Sequence, residues 1–208
     1  MRNKHKRDER VKLHRRSHTY SDNHTSVTKL VSSFFKTFVA EDIILKMRNS
    51  PKWSSSRYYG MTNRAIKSAW AKGGKDSREA GTRLHEQIEQ YYNNVEFEAL
   101  EDDKALDQFL KWDKDMGLTP WRTEWLVWDE DTKVAGTIDA VFKDSLGKYI
   151  LVDWKRCKEI VVTNKYDSCK LSELSHLSDC NYVKYSIQLN VYRYILEEKY
   201  GISISDIR

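Results

Sequence analysis

The chain predicts a mixed α/β fold, a small antiparallel-dominated sheet with helices before and after it. Three features predict this: apolar residues at helical spacing between residues 26 and 116, three extended runs between 121 and 155, and a closing helix over about 183–200. A length of 208 residues, 39% of them apolar and 12% aromatic, suffices for one domain with a buried core. The expected organisation is a basic, poorly ordered arm over 1–24 followed by a single domain over 25–208.

Element by element, Ser26 or Thr25 caps a helix whose apolar positions are Val27, Leu30, Val31 and Phe34. A second helix runs from Ala40 to about Arg48 and ends before Ser50-Pro51, and Trp53 to Gly60 reads as a loop of serines and aromatics. A short helix from Thr62 to Ala71 is expected to stop at Gly73-Gly74. The next begins at Asp76 or Ser77 and buries Ala80, Leu84, Ile88 and Tyr91. Another, from about Asp102 to Met116, buries Leu106, Phe109, Leu110 and Trp112 and ends at Gly117. Trp121–Trp128, Lys133–Lys143 and Lys148–Lys155 then form an antiparallel meander, with turns at Asp129-Glu130-Asp131 and Asp144–Gly147. Residues 157–179 are polar and weakly patterned, as suits a lid or substrate loop. The last helix carries Ile187, Val191, Tyr194 and Ile195 as its apolar stripe.

The net charge of +5 is modest, but Lys4, Lys6, Arg7, Arg10, Lys12, Arg15 and Arg16 crowd the first 18 residues. Such an arm favours an anionic polymer, and it reads equally as a solvated tail. Cys157, Cys169 and Cys180 are too few and too widely spaced for a disulfide framework or close-spaced zinc ligands, and are expected to be reduced structural thiols. No run approaches the roughly 18 apolar residues of a membrane span, and no secretory block opens the chain. An intracellular protein with no membrane partner is expected.

The chemistry concentrates in one hairpin. Asp139 in AGTIDAVF and Asp153 in ILVDWK flank a turn centred near Leu146, so equal arms set them opposite each other. Opposed residues on one face have Cβ atoms about 4.5–5.5 Å apart, where like charges destabilise. Lys155, two residues on, shares the face of Asp153, and Trp154 points the other way. A hard divalent cation suits such oxygen donors, and with Lys155 beside it the centre would be hydrolytic. An isolated Asp-x-Lys is more often an exposed ion pair. Here both aspartates lie inside apolar runs, where an unpaired charge is costly.

His85, in GTRLHEQIE, sits roughly 60° around its helix from Ile88, at the edge of the buried stripe. Glu89 lies one turn further on the same side. Taken alone, a histidine beside an apolar stripe is more often packed and hydrogen-bonded than a ligand, and Glu124 by alternation is more often a strand-surface carboxylate. Gln188 and Tyr192, four residues apart, share a helix face. Their amide and phenol can hold a phosphate or a base edge, or simply form a polar rim beside Ile187 and Val191.

Taken in order, SVTKLV, GTRLHEQIE, Glu124, AGTIDAVF, LVDWK and QLNVY resemble the RecB-like branch of the PD-(D/E)XK nucleases over roughly Ser26–Tyr200. The resemblance implies a restriction-endonuclease-like core with His85, Asp139 and Asp153 as metal ligands. It implies an added oxygen from the Trp154 carbonyl and Lys155 as the catalytic lysine. Gln188 and Tyr192 match the family's Gln-x-x-x-Tyr element, and Glu124 and Glu89 would support the site. Asp153 stands where many members have Glu. The cofactor implied is Mg2+ or Mn2+, and the three wide-spaced cysteines argue against the iron-sulfur cluster that some members carry. The activity implied is hydrolysis of DNA in replication, recombination or repair. An exonuclease acting on single- or double-stranded DNA with a free end comes first, leaving a 5′-phosphate and a 3′-hydroxyl. A structure-specific endonuclease and a non-catalytic nucleic-acid-binding protein with a nuclease shell are the alternatives. Because the chain ends soon after QLNVY, no attached helicase or partner-binding module is expected.

Overall fold

The computed structural model describes residues 3–14, 19–97 and 103–208. In chain order the elements are β1 (Leu13–His14), β2 (Thr19–Tyr20), β3 (Thr25–Ser26), α1 (Val27–Ser33), α2 (Ala40–Arg48), α3 (Asn63–Tyr92), α4 (Lys104–Met116), β4 (Thr119–Asp129), β5 (Val134–Lys143), β6 (Tyr149–Val152), α5 (Asn181–Tyr200) and β7 (Ile204–Ile207). The fold is mixed α/β, with a five-stranded mixed sheet and five helices among the described residues. The chain divides into two compact units, residues 1–36 with 84–208, and Thr37–Arg83. The single domain expected over 25–208 spans both units. Ile44 and Ile66 of the smaller unit are fully buried and belong to neither of the larger unit's two core clusters.

In the larger unit β5 is the central strand. β4 pairs antiparallel along it, from Thr119↔Lys143 to Asp129↔Val134. The opposite edge is shared by β6, antiparallel at Ala140↔Val152, and β3, parallel at Thr25↔Val134. β7 adds in parallel to β6. The expected antiparallel meander is present, and the two parallel pairings were not foreseen, because two-residue β3 and the short ISDI segment carry too little alternation to announce a strand. On one side α1 and α5 bury Val27, Val31, Ile195 and Leu196 with Trp125 and Val141. On the other, the last turns of α3 and all of α4 bury Leu84, Ile88, Tyr92, Leu106 and Phe109 with Ala140, Phe142, Ile150 and Val152.

The helix ends follow local chemistry. Ser26 caps α1 by accepting from the Lys29 amide, and Asp103 caps α4 by accepting from that of Leu106. Gly117 closes α4 at φ +58°, a left-handed position glycine reaches without penalty. Asp102, the expected start of that helix, lies outside the described residues. Gly73 and Gly74 do not stop a helix as expected, and α3 runs through them. Each glycine costs only about 1 kcal/mol relative to alanine, and the flanking Ala, Lys and Glu are good helix formers with no proline among them. The buried faces also shift by a residue: Tyr92 rather than Tyr91 is buried on α3, Leu110 of α4 is exposed, and α5 buries Tyr192, Ile195, Leu196 and Tyr200 while Tyr194 is exposed. α5 is apolar on more than one side, so spacing alone could not choose its inner face.

The described part of residues 3–24 packs on β4, contrary to the expected disordered arm. Val11 is buried, the Arg7 guanidinium lies 3.8 Å above the Trp128 ring and pairs with Glu130, and Asp8 bonds both Arg122 and the Trp125 indole at 2.9 Å. The cause is on β4: its tryptophans offer ring faces and indole donors, and the buried Arg122 demands a carboxylate. Arg7 is thereby spent on structure. Lys4, Lys6, Arg10 and Lys12 remain exposed, and Arg2, Arg15 and Arg16 lie outside the described residues.

Gly136 on β5 is required by close approach. A Cβ there would stand 2.6 Å from Tyr192 Cε1 and 2.7 Å from its hydroxyl, and Tyr192 is itself buried. Gly136→Ala is expected to destabilise the protein by about 1–3 kcal/mol, the usual range for overpacking. A thermal melt checks this: an unchanged midpoint would mean that Tyr192 does not lean on Gly136.

Candidate metal centre

The β5–β6 hairpin keeps the register expected of it. Asp144 anchors the turn, accepting from the Leu146 and Lys148 amides, and the ladder Ala140↔Val152 points to Asp139 and Asp153 as the next opposed pair. The strand, however, ends at Val152, not at Lys155 as expected. Asp153 still donates its amide to the Arg208 carbonyl, but the Trp154 amide turns to the Asp139 side chain, Oδ2 at 2.7 Å. A side-chain oxygen thus takes the N–H that a longer strand would give to its neighbour's backbone.

Asp139 also marks a break in the two-residue alternation of β5. Ile138 and Val141 enter one core cluster, whereas Ala140 and Phe142 enter the other. Across the ladder, between Trp125↔Ile138 and Thr123↔Ala140, stands Glu124 at φ +43°. A non-glycine residue in the left-handed region inside a strand is strained, by about 1–3 kcal/mol, and such strain gathers at functional sites. The conformation brings Glu124 to Asp139.

His85, from α3, completes the group. Its Nδ1 lies 3.5 Å from Asp139 Oδ1 and 3.7 Å from Glu124 Oε1. Among the described residues His85, Glu124 and Asp139 form a three-donor group that could hold a metal ion, their ligand atoms all within 4.8 Å of one another. Its Nε2 meets the Trp154 carbonyl at 3.0 Å. A carbonyl only accepts, so Nε2 carries the proton and the Nδ1 lone pair of a neutral imidazole faces two carboxylates. Three electron-rich atoms at this spacing call for a cation among them, whether a proton or a metal. Protonation behaviour reflects the same demand. Burial, then the charge of Asp153, push the Asp139 carboxyl up to about 7. Burial pulls the His85 imidazole down, but the Glu124 hydrogen bond and the Asp139 charge outweigh it and hold it above its ordinary value. The donor set, one imidazole nitrogen and two carboxylates, fits a divalent cation.

Of the ligands expected from sequence, His85 and Asp139 are brought together. Asp153 falls outside the group: Lys155 forms an ion pair with it, and Gln188 reaches it from α5, Nε2 to Oδ1 at 3.4 Å. The Trp154 carbonyl is engaged by His85. Glu124, expected only to support the site, joins the donors. Glu89 lines, with Glu124, Tyr92, Trp121 and Thr123, an adjoining cleft of about 360 Å³. Tyr192 does not face solvent to meet a phosphate. It is buried, and burial, then the charge of Asp153, drive its phenol well above the ordinary value. Sequence reasoning missed Tyr185, whose ring lies 5.5 Å from the Lys155 ammonium. Its signal was available, since Tyr185, Gln188 and Tyr192 recur at spacings that share one helix face.

No family model and no curated protein matches the chain. No helix of the described residues is long and apolar enough to cross a membrane.

Proposed function

We propose that the protein is a divalent-metal-dependent nuclease of the PD-(D/E)XK type, hydrolysing DNA from an end in replication, recombination or repair. The observation that carries the reading is the electron-rich group of His85, Glu124 and Asp139 beside the Asp153–Lys155 ion pair. Support comes also from the order of the parts: a hairpin presenting Asp139 and Asp153-x-Lys155, a helix bringing His85, and a later helix bringing Gln188. That is the arrangement the motif resemblance implies for a restriction-endonuclease-like core.

His85, Glu124 and Asp139 would hold Mg2+ or Mn2+, with Asp153 next to them. The ion supplies Lewis-acid activation of the scissile phosphate and of water. The chain's own part is positional. The Trp154 carbonyl fixes the tautomer and ring plane of His85, and the Trp154 amide fixes the Asp139 carboxylate. Lys155 brings three N–H donors to the edge of the group, where they orient water or hold the negative charge that develops on the phosphate. Gln188 reaches Asp153 from α5 and helps keep it in place.

A digestion panel tests the reading. Linear single- and double-stranded DNA, RNA, and nicked and closed circles are incubated with magnesium or manganese, or with EDTA. Linear DNA should shorten from an end only with the divalent ion, and circles should persist. Cutting of closed circles would replace the exonuclease by an endonuclease. Failure to hydrolyse any substrate with either metal would reject the enzyme and leave a binding protein.

A further inference from the structure

The net positive charge of the protein resides in one unit. Thr37–Arg83 holds 10 Lys and Arg against 4 Asp and Glu, whereas the remainder holds 26 against 27, so the net +5 originates entirely in Thr37–Arg83. All these basic residues except Lys67 are exposed. On α3 (Asn63–Tyr92), Arg64, Lys72, Lys75 and Arg78 span roughly 120° around the axis at 3.6 residues per turn. Lys67 pairs with Glu41, and Lys75 lies 3.6 Å from Glu79. Arg64, Lys72, Arg78 and Arg83 form no ion pair among the described residues.

The same unit mixes guanidinium groups with rings. Arg48 lies 5.1 Å from the Trp53 ring, Arg57 4.7 Å from that of Tyr58, and Trp53 meets Tyr59 edge-on at 6.1 Å. Tyr59 is 61% exposed. Basic side chains meet phosphates without regard to sequence, and exposed rings stack on bases. A lipid surface fits less well, because it requires an apolar face beside the charges. From Arg64 to Arg83 the large apolar side chains are Ile66 and Trp70, the first buried and the second packed on Phe38 and Tyr58. Phe38, Val39 and Leu45 are exposed in the same unit, but on the segment before α3 and not among its basic residues.

We infer that Thr37–Arg83 is a nucleic-acid grip, with Arg64, Lys72, Lys75 and Arg78 of α3 contacting phosphates and Tyr59 offering a ring to a base. The inference rests on the proposed function for the choice of DNA over RNA, but binding here requires no hydrolysis.

The test uses the full chain in EDTA and a fluorescent DNA strand of about 20 nucleotides, with anisotropy read from roughly 50 to 300 mM salt. Combining Arg64→Gln, Lys72→Gln, Lys75→Gln and Arg78→Gln should weaken binding at least about tenfold at 0.1 M salt and lower the salt slope by about 3. Gln keeps the helix propensity of Lys and Arg, so circular dichroism should not change. The same charge removed at Lys4, Lys6, Arg10 and Lys12 should cost less than about threefold, while the exchange Arg64→Lys, Lys72→Arg, Lys75→Arg and Arg78→Lys should retain binding. Equal losses in the two Gln variants, unchanged binding in the first, or loss in the charge-keeping exchange would overturn the inference. So would wild-type protein that binds phosphatidylserine vesicles and not DNA. Tight binding without cleavage in the digestion panel would sink the nuclease reading alone. Cleavage and binding indifferent to the α3 charges would sink the grip alone.

Discussion

Asp139→Asn should lower DNA cleavage by at least about 10³-fold, the scale on which a preorganised charged group acts in a hydrolytic site. The protein should nevertheless fold, because the amide oxygen of Asn can accept the Trp154 amide as Asp139 Oδ2 does. Without metal it should be more stable than wild type at neutral pH. A carboxyl held up to about 7 in the folded protein keeps its proton where an unfolded aspartic acid, near pH 4, has lost it. Its favourable contribution is therefore complete at low pH and is lost as pH rises from about 4 through 7. His85, also held above its ordinary value, acts in the same direction at the upper end of that window. Metal-free wild type should lose on the order of a few kcal/mol across the window, and Asp139→Asn much less. Magnesium or manganese should restore wild-type stability at pH 7 and release protons, since the cation replaces them among the donors. Melts from pH 4 to 8, with and without metal, check this. Near-normal turnover in Asp139→Asn, or a wild-type melting temperature indifferent to both pH and metal, would remove Asp139 from the site.

Lys155→Met should lower turnover by about 10²–10³-fold, with metal-dependent DNA binding largely retained. Methionine keeps much of the aliphatic stem and removes the charge and all three donors. The competing explanation is structural: Lys155 pairs with Asp153, whose carboxylate is nearly buried, and on this account serves only to neutralise it. Both explanations expect a weaker metal-free fold, by about 1–3 kcal/mol, because Asp153 is left with the long Gln188 contact. They part at saturating magnesium. A structural lysine is dispensable once the cation supplies positive charge, and activity returns; a lysine that acts on the phosphate or water is not replaced, and the deficit persists. Single-turnover rates at increasing magnesium decide between them. Full recovery would reduce Lys155 to a counter-ion.

Several parts of the site were legible in the chain because they are local. The Asp144–Gly147 turn, held by its own aspartate, sets Asp139 against Asp153 whatever the rest of the molecule does. Ser26 and Gly117 end their helices by chemistry within one turn. Helical period placed His85 at the edge of a buried stripe, as found. Only the tertiary structure decided which of these groups come close enough to share a cation. The gathering of Glu124 depends on one strained backbone angle that no residue pattern announces, and the capture of Asp153 by Lys155 and Gln188 depends on how α5 meets the hairpin. The fate of the basic arm was likewise decided elsewhere, by the tryptophans and Arg122 of β4, which require partners that the arm supplies. Periodicity reports the direction in which a side chain leaves its own element. Distances between donors on α3, β4 and β5, far apart in sequence, follow from how those elements pack, and that is decided by the whole core at once.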